Sequence, residues 1–451
     1  MTNIQDKLQK QSKVRLCHPE QISSLTRREI VKSGVSLVGA MTLGQLFGQK
    51  ALAQSFSLQK RLVWISMNGG WDILEVSDPK VGSTSGIDMT YDWGLTHQIL
   101  GGSPDDRLGR WLPQIAGLGD DLLVVRGLTM GTTSHTAGSV YMDTGVLSNA
   151  GNVNSASIPA IVASESQATI PIIQLNGGSD PQTDRGLLHP VSVVRAQNLG
   201  LYRSMYPADP VDLEQKMLIL DHLRSSLQRV ESRVGTNDRL SEIATAEEKI
   251  RVQFQSDVGA KLDLTDEDRL PFVTDAPANL NNGQRDAFAL SLKLLKNDLV
   301  SCLNLGIGGF DTHANQERNL QPILTNFDFL LSTFVRELKA AGQLDNTLIV
   351  VYSDFGRTPK VNRSNGRDHW PVGSALMLGG GIQGGRMVGA TDDDLRALRI
   401  NEDTGSVDAN GTYINPTHLG GSVLSLTLGA GYLGYRSYLS APPALVRLKS
   451  S

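Results

Sequence analysis

The chain has 451 residues, 40% hydrophobic and 20% charged, with a formal net charge of −4. That is globular composition with length for a large core, and it lacks the basic balance of a nucleic-acid binder. Aromatics at 5% offer no stacking platform for bases or sugars, while 46 glycines suit many tight strand-to-loop turns.

Residues 1–53 read as an export segment outside the fold. Thr26-Arg27-Arg28-Glu29-Ile30-Val31-Lys32 resembles the twin-arginine motif. A mildly apolar stretch from Ser33 to Gly48 follows, then Ala51-Leu52-Ala53, an A-x-A cleavage signal. The stretch is short and weak for a stable membrane span. The expected partner is the twin-arginine export machinery, and the expected location is periplasmic or extracellular. The segment holds eight basic and three acidic residues, net +5 against −4 for the whole, which leaves −9 for the rest. An anionic substrate would need a local source of positive charge, which metal ions supply. Of two cysteines, Cys17 lies in the segment and Cys302 in an apolar run. The mature part therefore has no internal disulfide, which suits a protein exported already folded.

Residues 54–451 read as one domain. Short apolar runs ending in Gly or Asp predict buried strands: Arg61–Met67, Leu122–Arg126, Ile170–Leu175, Leu299–Ile307, Thr347–Tyr352 and Ala375–Leu378. Helical stripes predict helices over Val211–Val234, Ser241–Phe254, Asn282–Asn297 and Gln316–Ala341, with a helical excursion around 205–285. Alternating helices and apolar strands predict an α/β fold, a mostly parallel central sheet flanked by helices on both faces. Ligands in such sheets bind at the carboxyl ends of strands.

Those ends carry the polar residues: Asp72, Ser134 with His135, Asp311 with His313, and Asp354, with Asp368 and His369 shortly after. Carboxylate and imidazole together suit Zn²⁺, Mn²⁺ or Fe²⁺, and an all-oxygen set suits Mg²⁺ or Ca²⁺, so the ion's identity stays open. One or two ions fit the number of acids; a pair about 3.5–4 Å apart would clamp an in-line displacement. Asp72 and Asp354 could instead cap helices. Arg357 and Arg386 read as solvated or structural cations, with anion binding the alternative. His97, His189 and His418 lack supporting context, and Asp392-Asp393-Asp394 lacks calcium-loop spacing.

The order Gly-Gly-Trp-Asp, Ser-His, Gly-Gly-Phe-Asp-Thr-His-Ala-Asn-Gln, Ser-Asp-Phe-Gly-Arg-Thr-Pro, Arg-Asp-His-Trp and Gly-Gly-Gly-Ile-Gln-Gly-Gly-Arg resembles the exported bacterial family called domain of unknown function 1501. The resemblance spans about residues 60–430. That family is similar in fold to the alkaline phosphatase and sulfatase superfamily. The resemblance implies metal ligands at Asp72, Asp311, His313, Asp354 and His369, and a nucleophile region at Ser134 and His135. Two departures stand out. Phe355 follows Asp354 where phosphatases have a histidine, and His135 occupies the usual nucleophile position, so one metal site is expected to be weakened or built differently with His135 as ligand. The expected function is metal-dependent hydrolysis of phosphate or sulfate esters, acting on a small anionic ester or a surface glycan. The alternative is a catalytically degenerate sulfatase-like fold serving as an exported binding or cell-surface assembly protein.

Overall fold

The computed structural model describes residues 60–148, 155–166, 168–179 and 191–429. The export segment and His189 lie outside the described residues. Among the described residues twelve strands occur in chain order: β1 (Arg61–Asn68), β2 (His97–Gln98), β3 (Arg107–Leu108), β4 (Leu122–Thr129), β5 (Ile170–Leu175), β6 (Val193–Arg195), β7 (Val300–Gly308), β8 (Thr347–Ser353), β9 (Gly356–Arg357), β10 (His369–Trp370), β11 (Val372–Gly379) and β12 (Arg386–Val388). Eight of them form one sheet in the order β12-β4-β11-β8-β1-β7-β5-β6, while β2 with β3 and β9 with β10 form small ribbons.

The sheet is parallel except for β11, which runs antiparallel to β4 and β8. After β8 the chain stays at the same sheet edge through β9 and β10, so β11 re-enters in the opposite direction. Parallel register puts Met67 of β1 beside Ser353 of β8, and Asn68 beside Gly308 of β7. The end of β4 faces the start of β11, with Thr129 opposite Val372. One edge thus gathers the carboxyl ends of β1, β4, β7 and β8 and the amino end of β11.

Alternation along β1 divides the core between the two faces. Val63, Ile65 and Met67 join a cluster with Leu292 and Leu295 of helix Asn282–Lys296 and Leu324, Phe327 and Leu331 of helix Gln316–Ala340. Leu62 and Trp64 join a second cluster with Ile161 of helix Ile158–Ser164 and Val423 of helix Pro416–Leu428. Burial of large apolar side chains on both faces supplies roughly 1.5–3 kcal/mol each and makes the edge a rigid platform. The helical excursion is built from Pro210–Val234 and Asp238–Gln255. Cys302 is buried under Pro159, and burial pushes its thiol up to about 12. Among the described residues, no helix is long and apolar enough to cross a membrane.

One buried acid ties a loop to this platform. Asp328, in helix Gln316–Ala340, accepts from the amides of Gln114 (3.1 Å) and Ile115 (2.8 Å). Burial pushes its carboxyl up to about 6, against the two amides and Arg336, which pull it down. The folded chain therefore holds this proton more tightly than the unfolded one. The resulting stabilisation is full below the unfolded carboxyl range and is lost as pH rises through about 6. Asp328→Asn is expected to remove this pH dependence, worth on the order of 3 kcal/mol. Urea unfolding of both proteins at about pH 4 and pH 7 measures it; a stability difference that does not change with pH would contradict the assignment.

Candidate functional site

The loop after β1 is shaped by glycines. Gly69 has φ +116°, and a Cβ there would lie 2.5 Å from the Asp311 amide nitrogen. Only glycine lets the β1 and β7 loops approach this closely. The Gly69 and Gly70 amides both donate to Asp354 Oδ1, at 3.2 and 2.5 Å. Ser353 Oγ donates to the same oxygen at 3.0 Å. Asp354 Oδ2 faces His135 Nδ1 in a short hydrogen bond. Asp354 is 4% exposed, and its two oxygens are committed to these partners.

Asp72 is also committed. It caps the short helix Ile73–Val76 by accepting from the Leu74 amide at 2.9 Å. Its other oxygen accepts from Gln316 Nε2 at 2.5 Å and lies 2.9 Å from Arg367 Nε. The Arg367 contact lacks hydrogen-bond alignment and acts as an ion pair. Both side chains are almost fully buried, at 0% and 2% exposure. Gln316 also accepts from Thr312 Oγ1 at 3.0 Å, and the Arg367 amide donates to the Thr312 carbonyl at 3.1 Å. Asp72 thus locks the 311–316 loop to the 366–369 loop from beneath.

Above this lock, four side chains converge. Asp311 Oδ1 lies 3.0 Å from His313 Nε2, 3.4 Å from His369 Nε2 and 3.6 Å from His135 Nε2. His313 Nε2 and His369 Nε2 are 3.0 Å apart. His135, Asp311 and His369 form a group whose donor atoms lie within 4.8 Å of one another. The opposite ring nitrogen of each histidine is engaged outward. His135 Nδ1 meets Asp354, His313 Nδ1 lies 2.7 Å from Asp368 Oδ1, and His369 Nδ1 lies 2.8 Å from the Thr133 carbonyl. Carboxylates and carbonyls only accept, so each Nδ1 is placed to carry a proton, and a neutral ring then turns its Nε2 lone pair inward. His135 Nε2 is buried with no hydrogen-bond partner among the described residues.

Electrostatics follow the contacts. Burial acts to raise Asp311, but the Arg357 hydrogen bond at 2.6 Å and the nearby positive charge outweigh it and hold the carboxyl at about 2. The Asp354 hydrogen bond raises His135 above the ordinary imidazole value, against burial, which lowers it. The His313 hydrogen bond lowers Asp368. Phe355 is fully buried and packs its ring 4.6 Å from both His135 and His369, so it forms an apolar wall against two imidazoles.

The structure therefore brings together Asp311, His313, His369 and His135, the last of which the sequence offered both as a nucleophile position and as an alternative ligand. It sets Asp72 and Asp354 behind the cluster, where an ion pair, amides and an imidazole occupy their oxygens. Ser134 is exposed and caps helix His135–Thr144, with Oγ 3.5 Å from the Ala137 amide. Gln316, Arg357 and Arg367 stand inside the quoted motifs, and of their supporting roles only that of Arg357, as a structural cation, was among the readings. The pairing of Asp368 with His313, 55 positions away, carried no sequence signal. His418 hydrogen-bonds Asn415 at a helix start, and His97 meets the Arg110 carbonyl, both outside the cluster.

Removing the Asp72 carboxylate would leave Arg367 buried and uncompensated. Asp72→Ala is expected to cost about 3–5 kcal/mol of stability, measured by denaturant unfolding of the metal-free protein. A loss below about 1 kcal/mol would contradict its role as a structural lock.

No curated protein matches this sequence. Among solved structures, a lipooligosaccharide phosphoethanolamine transferase from Neisseria meningitidis aligns at 10% identity and TM-score 0.38, over 94% of this chain and 66% of the transferase, just under two thirds of its length. An alkaline phosphatase superfamily protein from Vibrio parahaemolyticus aligns at 12% identity and TM-score 0.35, over 88% of this chain and 75% of that one. Alkaline phosphatase from the Antarctic bacterium TAB5 aligns at 12% identity and TM-score 0.33, over 82% and 99%. At such identities and TM-scores no chemistry transfers from them. The family model described as "Protein of unknown function (DUF1501)" matches residues 59–407, and the chain belongs to that family.

Proposed function

We propose that His135, Asp311, His313 and His369 hold one divalent metal ion and that the protein hydrolyses phosphate or sulfate esters there. The carrying observation is the convergence of three imidazole Nε2 atoms on Asp311 Oδ1, with the His313 and His369 Nε2 atoms 3.0 Å apart and each Nδ1 bonded outward. In neutral rings protonated at Nδ1, facing lone pairs repel unless a cation lies between them. Metal–nitrogen bonds of about 2.0–2.1 Å place neighbouring ligand atoms about 3–3.5 Å apart, close to the separations around Asp311 Oδ1. Hydrogen bonding of the remote ring nitrogen to a carboxylate or carbonyl is the usual support of a metal-bound histidine. Three nitrogens with one carboxylate favour Zn²⁺, Mn²⁺ or Fe²⁺ over Mg²⁺ or Ca²⁺.

A bound ion would supply Lewis-acid stabilisation of ester oxygens and a more acidic water. Asp311 stays ionised and balances part of the charge. Asp354 and Asp368 keep His135 and His313 in the orientation that presents Nε2. Phe355 excludes water from one side of the imidazoles. Ser134 borders the cluster through its neighbour His135 and is exposed, so it is a candidate nucleophile, with water the other. Ser134 Oγ accepts from the Ala137 amide, which engages its lone pair and favours water. The ester class rests on the motif resemblance of the sequence. Residues 1–53, with Arg27-Arg28 and Ala51-Leu52-Ala53, support export by the twin-arginine route to the periplasm or beyond.

The test is turnover of an aryl phosphate and an aryl sulfate by protein purified without chelator. Activity is expected to vanish on dialysis against chelator, to return with Zn²⁺ or Mn²⁺, and to fall by about 100-fold or more in Asp311→Ala. Metal binding without turnover of either ester would favour the exported binding-protein reading. Chelator-resistant turnover, unchanged in Asp311→Ala, would overturn the proposal.

A further inference from the structure

Arg357 carries an inference that rests on the metal reading above. Its side chain has no solvent exposure, yet it lies against the cluster. Nη2 donates to Asp311 Oδ1 at 2.6 Å and also meets the Gly69 carbonyl; Nε donates to the Gly70 carbonyl at 2.7 Å; Nη1 donates to the Arg367 carbonyl at 3.0 Å and lies 3.5 Å from His313 Nε2. A permanent positive charge, which a guanidinium cannot shed, thus sits in direct contact with the carboxylate at the centre of the cluster. Four oxygens surround it, three of them backbone carbonyls held by the glycine loop and the 367 turn.

A second metal ion would need both space and donors beside Asp311. The space is filled by the guanidinium, and a dication there would meet like charge at contact distance. The buried carboxylates nearby are spent: Asp72 is paired with Arg367 and Gln316, and Asp354 with two amides and His135. Asp368 is tied through Oδ1 to His313 and Asn362. We infer that this is a one-ion centre in which the Arg357 guanidinium occupies the second cation position as a built-in, non-exchangeable charge. Arg357 is a positioning residue. Each of its three nitrogens donates to a protein oxygen, so it orients Asp311 and supplies charge.

The inference also says what Arg357 displaces. The Gly69, Gly70 and Arg367 carbonyls with Asp311 form an all-oxygen set, the donor chemistry of Mg²⁺ or Ca²⁺. Truncating Arg357 should free that set for a hard cation. The experiment is metal counting by native mass spectrometry and elemental analysis of the wild-type chain. The chain is saturated with excess Zn²⁺, Mg²⁺ and Ca²⁺ and then desalted. One ion per chain is expected. Two ions per chain would overturn the one-ion inference and leave the metal reading standing, whereas none would overturn both. Arg357→Ala, with its fold checked by circular dichroism, is expected to take a second ion, Mg²⁺ or Ca²⁺, under the same conditions. A folded Arg357→Ala that still binds a single ion would overturn the assignment of the guanidinium to the second position. Should the variant fail to fold, the wild-type count decides alone.

Discussion

Everything at the strand edge depends on where three protons sit. Each imidazole offers its Nδ1 outward, to Asp354, Asp368 or the Thr133 carbonyl, and in its neutral form turns an unprotonated nitrogen inward. Three inward lone pairs beside an ionised Asp311 concentrate electron density at one point. Such an arrangement is unfavourable by itself and becomes favourable when a cation completes it. The chain holds it in place through a rigid sheet and a buried polar layer beneath it.

That layer divides the labour by depth. At the bottom, the Asp72–Arg367 pair and Gln316 tie two ligand-bearing loops together, at the desolvation cost that buried charges carry. One level up, the Gly69-Gly70 turn gives its amides to Asp354 and its carbonyls to Arg357, so one peptide turn serves an acid and a base at once. At the top, Arg357 and Phe355 bracket the imidazoles and Asp311, one with charge and one with an apolar ring. Helix His135–Thr144 can pack this closely because Gly138 offers no Cβ, which would otherwise lie 2.3 Å from the Asp354 carbonyl oxygen.

Much of this was legible in the sequence, for physical reasons. Strands buried on both faces write themselves as continuous apolar runs, so β5 was read to the residue and β1, β7 and β8 to within one or two positions. Parallel sheets put ligands at carboxyl ends, so Asp311, His313 and His369 could be grouped before any coordinates. Direction was not legible: nothing in Val372–Gly379 says that it runs against its neighbours, because an apolar run has no polarity along the chain. The short edge strands β6 and β12 are too brief to leave a pattern. Within the site, a carboxylate at a strand end looks the same whether it faces a cation or an arginine. Asp72 and Asp354 were therefore read as ligands, while their partners Arg367 and His135 lie hundreds of positions away. His135 reads as either a nucleophile position or a ligand, because its inward nitrogen is defined only by its bond to Asp354.

The most direct test of the account is the identity of the atoms that bind the ion. X-ray absorption of the zinc-loaded protein should give a first shell dominated by about three imidazole nitrogens at about 2.0–2.1 Å with one or more oxygens. His313→Ala should reduce the imidazole component by one. An all-oxygen shell, or a spectrum unchanged in His313→Ala, would contradict the three-histidine centre.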